Sequence, residues 1–108
     1  MLTDRDIALM SNSRYSIAVL TSPDGTQRNF ETSEYESMRQ MIRSLSPIKD
    51  SKIGTIESPH YTLLYQGGMD PTQINVNISN DQLEFSLGDF VYIGGDAQLF
   101  KSLADEEH

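Results

Sequence analysis

The stretch Ile74–Phe85, INVNISNDQLEF, alternates apolar and polar residues, breaks at Asn80-Asp81 and alternates again. Successive strand side chains point to opposite faces, so this run has one apolar and one polar face. Asn80-Asp81 suits a two-residue hairpin turn. That turn sets Ile78 against Leu83, Val76 against Phe85 and Ile74 against Leu87. On the other face Asn77 meets Glu84, Asn75 meets Ser86 and Ser79 meets Gln82. A one-residue slip would destroy the match, so the register is well specified. Gly88-Asp89 permits a second tight turn, after which Phe90–Ile93 sets Phe90 opposite Leu87 and Tyr92 opposite Phe85. The same strand puts Val91 and Ile93 on the polar face, which a one-sided sheet does not require.

Other elements follow from similar signals. Tyr15–Thr21 is β-branched and aliphatic and ends at Ser22-Pro23-Asp24-Gly25, strong turn chemistry. Gln27–Glu31 reads as the returning strand. Ser33-Glu34-Tyr35-Glu36 has the pattern of a capping box. Tyr35, Met38, Met41, Ile42 and Leu45 then form one helical stripe, and Pro47 stops the element, predicting a helix over Ser33–Ser46. Pro47–Pro59 is polar and irregular and reads as a connection. His60–Gly67 is a further strand, and Gly67-Gly68-Met69-Asp70-Pro71 a loop. Asp96 can cap a last helix with Leu99, Phe100 and Leu103 inward. The order is β-β-α-β-β-β-α. The expected fold is α+β: an antiparallel sheet of about five strands with helices on one face, a two-layer sandwich.

A chain of 108 residues suits one domain, residues 1–108. Residues 1–14 read as a short helix capped by Thr3 or as an arm, and 105–108 as a frayed tail, because acids sit badly at the negative end of a helix dipole. The chain has no cysteine, which excludes disulfides, cysteine-ligated metal and thiol catalysis. Sixteen acids against 8 bases give a net charge of -8. Such a surface repels phosphate backbones and anionic lipid, so nucleic acid is not an expected partner. No apolar run approaches membrane-spanning length, so no membrane insertion is expected in this segment. MLTDRDIALMSNS does not read as a signal peptide.

No residues assemble a catalytic signature. His60 and His108 are the only histidines, and neither has a patterned nucleophile or acid. Glu31, Glu34 and Glu36 surround a helix start, where capping explains acids. The paired glycines 67–68 and 94–95 lack the remainder of any phosphate-binding pattern. The loop aspartates build no calcium loop. The expectation is a protein without catalytic residues, metal or cofactor. What remains is recognition of a protein partner. The candidate partner-binding residues are Val91 and Ile93, with Glu84, Asn75 and Asn77 beside them and Met69 in the glycine loop. Cover by Ile7, Leu9 and Met10 is the competing explanation for Val91 and Ile93. A free strand edge also admits a homodimer.

Three stretches carry a family likeness: IAVLTSPDGTQRNF, TSEYESMRQMIRSL, and SPHYTLLY followed by INVNIS. In this pattern the chain resembles small extracytoplasmic domains of lipoproteins and membrane-anchored regulators, chiefly of Gram-positive bacteria. The resemblance implies a non-enzymatic sensory or interaction domain whose anchor lies outside this segment, and it carries over no functional residue. An extracytoplasmic location is therefore expected ahead of a cytoplasmic one. The alternative is a small acidic cytoplasmic inhibitor or immunity-type protein that occupies a basic protein surface.

Overall fold

A computed structural model describes residues 2–12, 17–66 and 71–105 of the chain. Its elements in chain order are α1 (Asp4–Ser11), β1 (Ile17–Thr21), β2 (Gln27–Asn29), α2 (Tyr35–Arg43), β3 (Ile48–Ile53), β4 (Tyr61–Gln66), β5 (Thr72–Ser79), β6 (Gln82–Leu87), β7 (Phe90–Gly94) and α3 (Ala97–Ala104). The strands form one antiparallel sheet in the order β2-β1-β4-β5-β6-β7-β3. The fold is α+β, as the sequence implies. The sheet has seven strands among the described residues rather than about five.

The β5–β6–β7 meander has the register expected from alternation. Val76 pairs with Phe85, Asn77 with Glu84 and Ile78 with Leu83, and then Phe85 pairs with Tyr92. Asn80 and Asp81 both adopt positive φ, at 51° and 62°, the conformation that a two-residue hairpin turn demands. The β1–β2 hairpin also forms, with the Thr26 N–H donating to Asp24 Oδ1 at 2.9 Å. That bond holds the Asp24 carboxyl below the usual carboxylate range.

Six of these strands overlap segments that read as strands in the sequence; the seventh is β3, inside the segment expected to be a connection. IKDSKI has no apolar alternation and lies at the sheet edge, where a strand gains its identity from its neighbour rather than from burial. That neighbour is β7, and the junction before β3 fits tightly against it. The Gly95 N–H donates to the Pro47 carbonyl at 2.9 Å, and the Asp96 N–H to the Ser44 carbonyl at 2.6 Å. A Cβ at Gly94 would lie 2.2 Å from the Pro47 carbonyl oxygen, at a φ of 145° that also favours glycine.

The helix termini correct one expectation and answer another. Helix α2 begins at Tyr35 after a 3-10 turn over Thr32–Glu34, so the Ser33–Glu36 capping box does not form. Glu34 occupies the cap position without a side-chain cap bond. Its carboxylate instead receives Arg28 Nη2 at 2.8 Å, while Arg28 Nη1 donates to the Leu103 carbonyl at 2.9 Å. The guanidinium also lies 4.2 Å over the Phe30 ring. One arginine thus ties β2, the start of α2 and the C-terminal turn of α3 together. The capping box occurs at α1, where Thr3 and Asp6 bond reciprocally at 2.8 and 3.2 Å. The Thr3 hydroxyl, donating to Asp6 Oδ2 at 2.9 Å, and the Thr3 N–H hold the Asp6 carboxyl below its ordinary range. Asp4–Ser11 is therefore a helix rather than a loose arm. Asp96 caps α3 as expected, accepting from the Leu99 N–H at 3.0 Å.

One core joins all three helices to the sheet. Met38, Met41, Ile42 and Leu45 come from α2 and the turn after it, Ile7 from α1 and Phe100 from α3. They meet the apolar positions of β1, β4, β5 and β6, among which Leu20, Leu63, Val76 and Phe85 are inaccessible to water. Tyr61 meets Phe100 edge-on at 5.4 Å, and Phe85 stacks on Tyr92 at 5.4 Å.

Candidate functional site

The side of the sheet turned away from this core carries the candidate residues. By strand alternation it presents Asn75 and Asn77 of β5, Glu84 and Ser86 of β6, and Val91 and Ile93 of β7. Two polar residues on this face, Asn75 and Asn77, hold down a chain segment. From the end of β3 at one edge, residues 54–60 cross β7, β6 and β5 to reach β4 in the middle of the sheet. The Gly54 N–H donates to the Asp89 carbonyl at 2.9 Å. Asn75 Nδ2 donates to the Ile56 carbonyl at 3.2 Å, and Asn77 Oδ1 accepts from the His60 N–H at 2.7 Å. His60 returns the connection: its Nδ1 accepts from the Ile78 N–H at 3.3 Å. The imidazole is thus a fastening between the strap and β5.

This strap changes the reading of Val91. Val91 is only 2% exposed, Ser86 5% and Ile56 8%, and neither Val91 nor Ile56 belongs to the helix-side core. A Cβ at Gly54 would lie 3.9 Å from Val91 Cγ2, which places the strap directly over this valine. Cover by the N-terminal segment is therefore not the explanation. Ile7 is buried in the helix-side core, Met10 packs against that core, and Leu9 is 60% exposed. The Leu2 N–H donates to Tyr92 Oη at 2.8 Å, on the helix-bearing face. The N-terminal helix packs with the core that Val91 does not join.

The strap leaves the far end of the face open. Ile93 and Glu84 are directly paired across β7 and β6, and both are half-buried. With Ser79, Asn80, Gln82 and Leu83 they line a shallow depression of about 190 Å³. That is smaller than the roughly 300 Å³ at which small-molecule sites begin. Its lining offers one carboxylate, several neutral hydrogen-bonding groups and two aliphatic residues, Leu83 and Ile93, which suits surface contact rather than ligand enclosure. The structure therefore brings Glu84 and Ile93 together, gives Asn75 and Asn77 internal bonding, and buries Val91. Met69 lies outside the described residues. Ser79, Asn80 and Gln82 were not among the candidates. Their signal was their place at the hairpin end, beside the register position of Ile93.

Among the described residues, no three His, Asp or Glu side chains are grouped to hold a metal ion. No helix of the described residues is long and apolar enough to cross a membrane. No family model, no curated protein and no solved structure matches this chain.

Proposed function

We propose that this protein is a non-catalytic interaction or sensory module that recognises a protein partner through the open end of the strap-bearing sheet face. We read the architecture as two layers, with the helices covering one face and leaving the other for contact. The observation that supports this function is the paired Glu84 and Ile93 beside the β5–β6 turn, in a depression too small to enclose a metabolite. Ile93 would supply apolar contact at the centre, and Glu84, Gln82 and Ser79 a polar rim. The net charge of -8 favours a partner with a basic surface, since complementary charge accelerates encounter and excludes acidic competitors.

The same charge supports the second reading, an acidic inhibitor or immunity-type protein that covers a basic site. The two separate by salt. Either partner loses association rate as ionic strength rises, but a contact centred on Ile93 keeps most of its affinity at high salt, whereas an acidic inhibitor of a basic site loses affinity steeply. The direct test is cross-linked affinity capture with the native protein and with Glu84→Lys/Ile93→Lys. Both positions are partly exposed, so the double variant is expected to fold. Loss of the captured partner from the folded variant is the expected result. Retention of every partner at native yield would show that this end of the face is not the contact.

A further inference from the structure

Strand β3 is an outer strand of the sheet, bonded to β7 on one side only. Such an edge presents unpaired backbone donors and acceptors to any second extended chain. Alternation decides which β3 groups face outward. The Gly54 N–H donates inward to Asp89, on the β7 side. Counting back along the strand by the antiparallel pattern, Lys52 and Asp50 also bond inward, and Ser51 and Ile53 face outward. The outward Ser51 N–H is not left to solvent: it donates to Asp50 Oδ1 at 2.8 Å. The first N–H of the strand, that of Ile48, donates to Asp4 Oδ1 at 2.7 Å, and Asp4 also accepts from Ser46 Oγ at 3.2 Å. Two carboxylates, one from the strand itself and one from α1, occupy backbone donors that a further strand would need. The register also shifts between Ile48 and Asp50, and Lys49 and Lys52 are exposed. Yet Ile53, at the end of the same strand, is 82% exposed, an aliphatic residue of high strand propensity.

We infer that Asp4 and Asp50 guard the β3 edge against pairing with a second copy of this chain, and that without them two β3 strands join antiparallel into a continuous sheet. A second copy is the occupant argued for because an antiparallel pair centred on Ser51 is its own complement. It sets each Ile53 beside the other chain's Lys49 stem and each Lys52 beside position 50 of its partner. The guard works by competition. An incoming strand must displace a charge-assisted hydrogen bond at each of the two donors before it forms its own. This inference concerns the edge and does not rest on the proposed partner face.

The test measures association by sedimentation equilibrium, with amide hydrogen exchange to locate the contact. The native protein and Asp50→Asn, which keeps an Oδ1 acceptor, are expected to remain monomers. Asp50→Ala and Asp4→Ala/Asp50→Ala are expected to shift to dimer mass as concentration rises, the double variant at lower concentration. The Ser51 and Ile53 amides should gain protection on association. Adding Ser51→Pro to the double variant should restore the monomer, because proline at an outward N–H spares the β7 ladder and blocks a new one. If the double variant does not fold, Asp50→Ala decides alone, since Asp50 is exposed and its carboxylate bonds within the same strand. Monomeric behaviour of the folded alanine variants would overturn the inference. So would native dimers protected at Ser51, or association that survives Ser51→Pro.

Discussion

On one face of the sheet Leu20, Leu63, Ile74, Val76, Leu83 and Phe85 are withdrawn completely from water in a core shared with residues of the helices. On the other face the same β5 and β6 strands present Asn75, Asn77 and Glu84, and the cover is a single strap held by hydrogen bonds. The first face is secured by area removed from water, at roughly 25 cal/mol per Å² and with no directional requirement. The second is secured by a few directed bonds, each contributing about 1 kcal/mol net. The first arrangement tolerates only side chains that fill the space. The second leaves part of its surface open, and that opening is where recognition is proposed.

The largest expected effect lies on the helix-bearing face. Phe85→Ala removes a ring that is fully buried and stacked on Tyr92, and should cost about 3–5 kcal/mol in denaturant unfolding. Alkali probes the same face more gently. Burial raises the Tyr65 hydroxyl above its ordinary value, and burial together with the negative Asp105 raises that of Tyr61. A pKa raised on folding supplies stability that is intact below the unfolded tyrosine value, near ~10, and lost as pH climbs through the folded one. Tyrosinate absorbance should therefore appear together with unfolding, and Tyr65→Phe should lessen the alkaline loss.

The strap should yield less and yield locally. Asn75→Ala and Asn77→Ala are each expected to cost about 1 kcal/mol. Exchange at the His60 amide should accelerate in Asn77→Ala while the central amides of β5 and β6 keep their protection. If protection falls across the whole sheet, the two faces are one cooperative unit and the contrast between them fails. Least of all should come from Ile93→Lys. As a partly exposed position away from the core, it should stay within about 0.5 kcal/mol of the native protein in a thermal melt.

Legibility in the sequence followed the same division. The β5–β6–β7 register was readable because alternation there is set by a buried apolar face, and Asn80-Asp81 could supply the positive φ that closes the turn. The α2 stripe of Met38, Met41, Ile42 and Leu45 was readable for the same reason. Strand β3 was not, because its two lysines and single aspartate carry no period and its place depends on the close approach of Gly94 to Pro47. The Ser33 cap does not form because the chain enters α2 through a 3-10 turn that moves the cap to Glu34, whose carboxylate pairs with Arg28, a tertiary contact that no local pattern encodes. Of the candidate site, Glu84 and Ile93 followed directly from pairing register. The strap over Val91 did not follow. Its one signal was Ile56, a lone aliphatic residue in a polar segment, opposite asparagines whose outward direction was known but whose partner was not.

The late pairing of β3 also bears on how the chain comes to be assembled. Strand β3 has one neighbour, and that neighbour is made of residues 90–94, so during synthesis β3 leaves the ribosome long before the strand that receives it. Contacts so distant along the chain form slowly. Until β7 arrives, both sides of β3 are open and the segment after it has no sheet to cross. If Asp50 guards this edge as inferred, its bond to the Ser51 N–H, which joins neighbouring residues of one strand, would not depend on the arrival of β7.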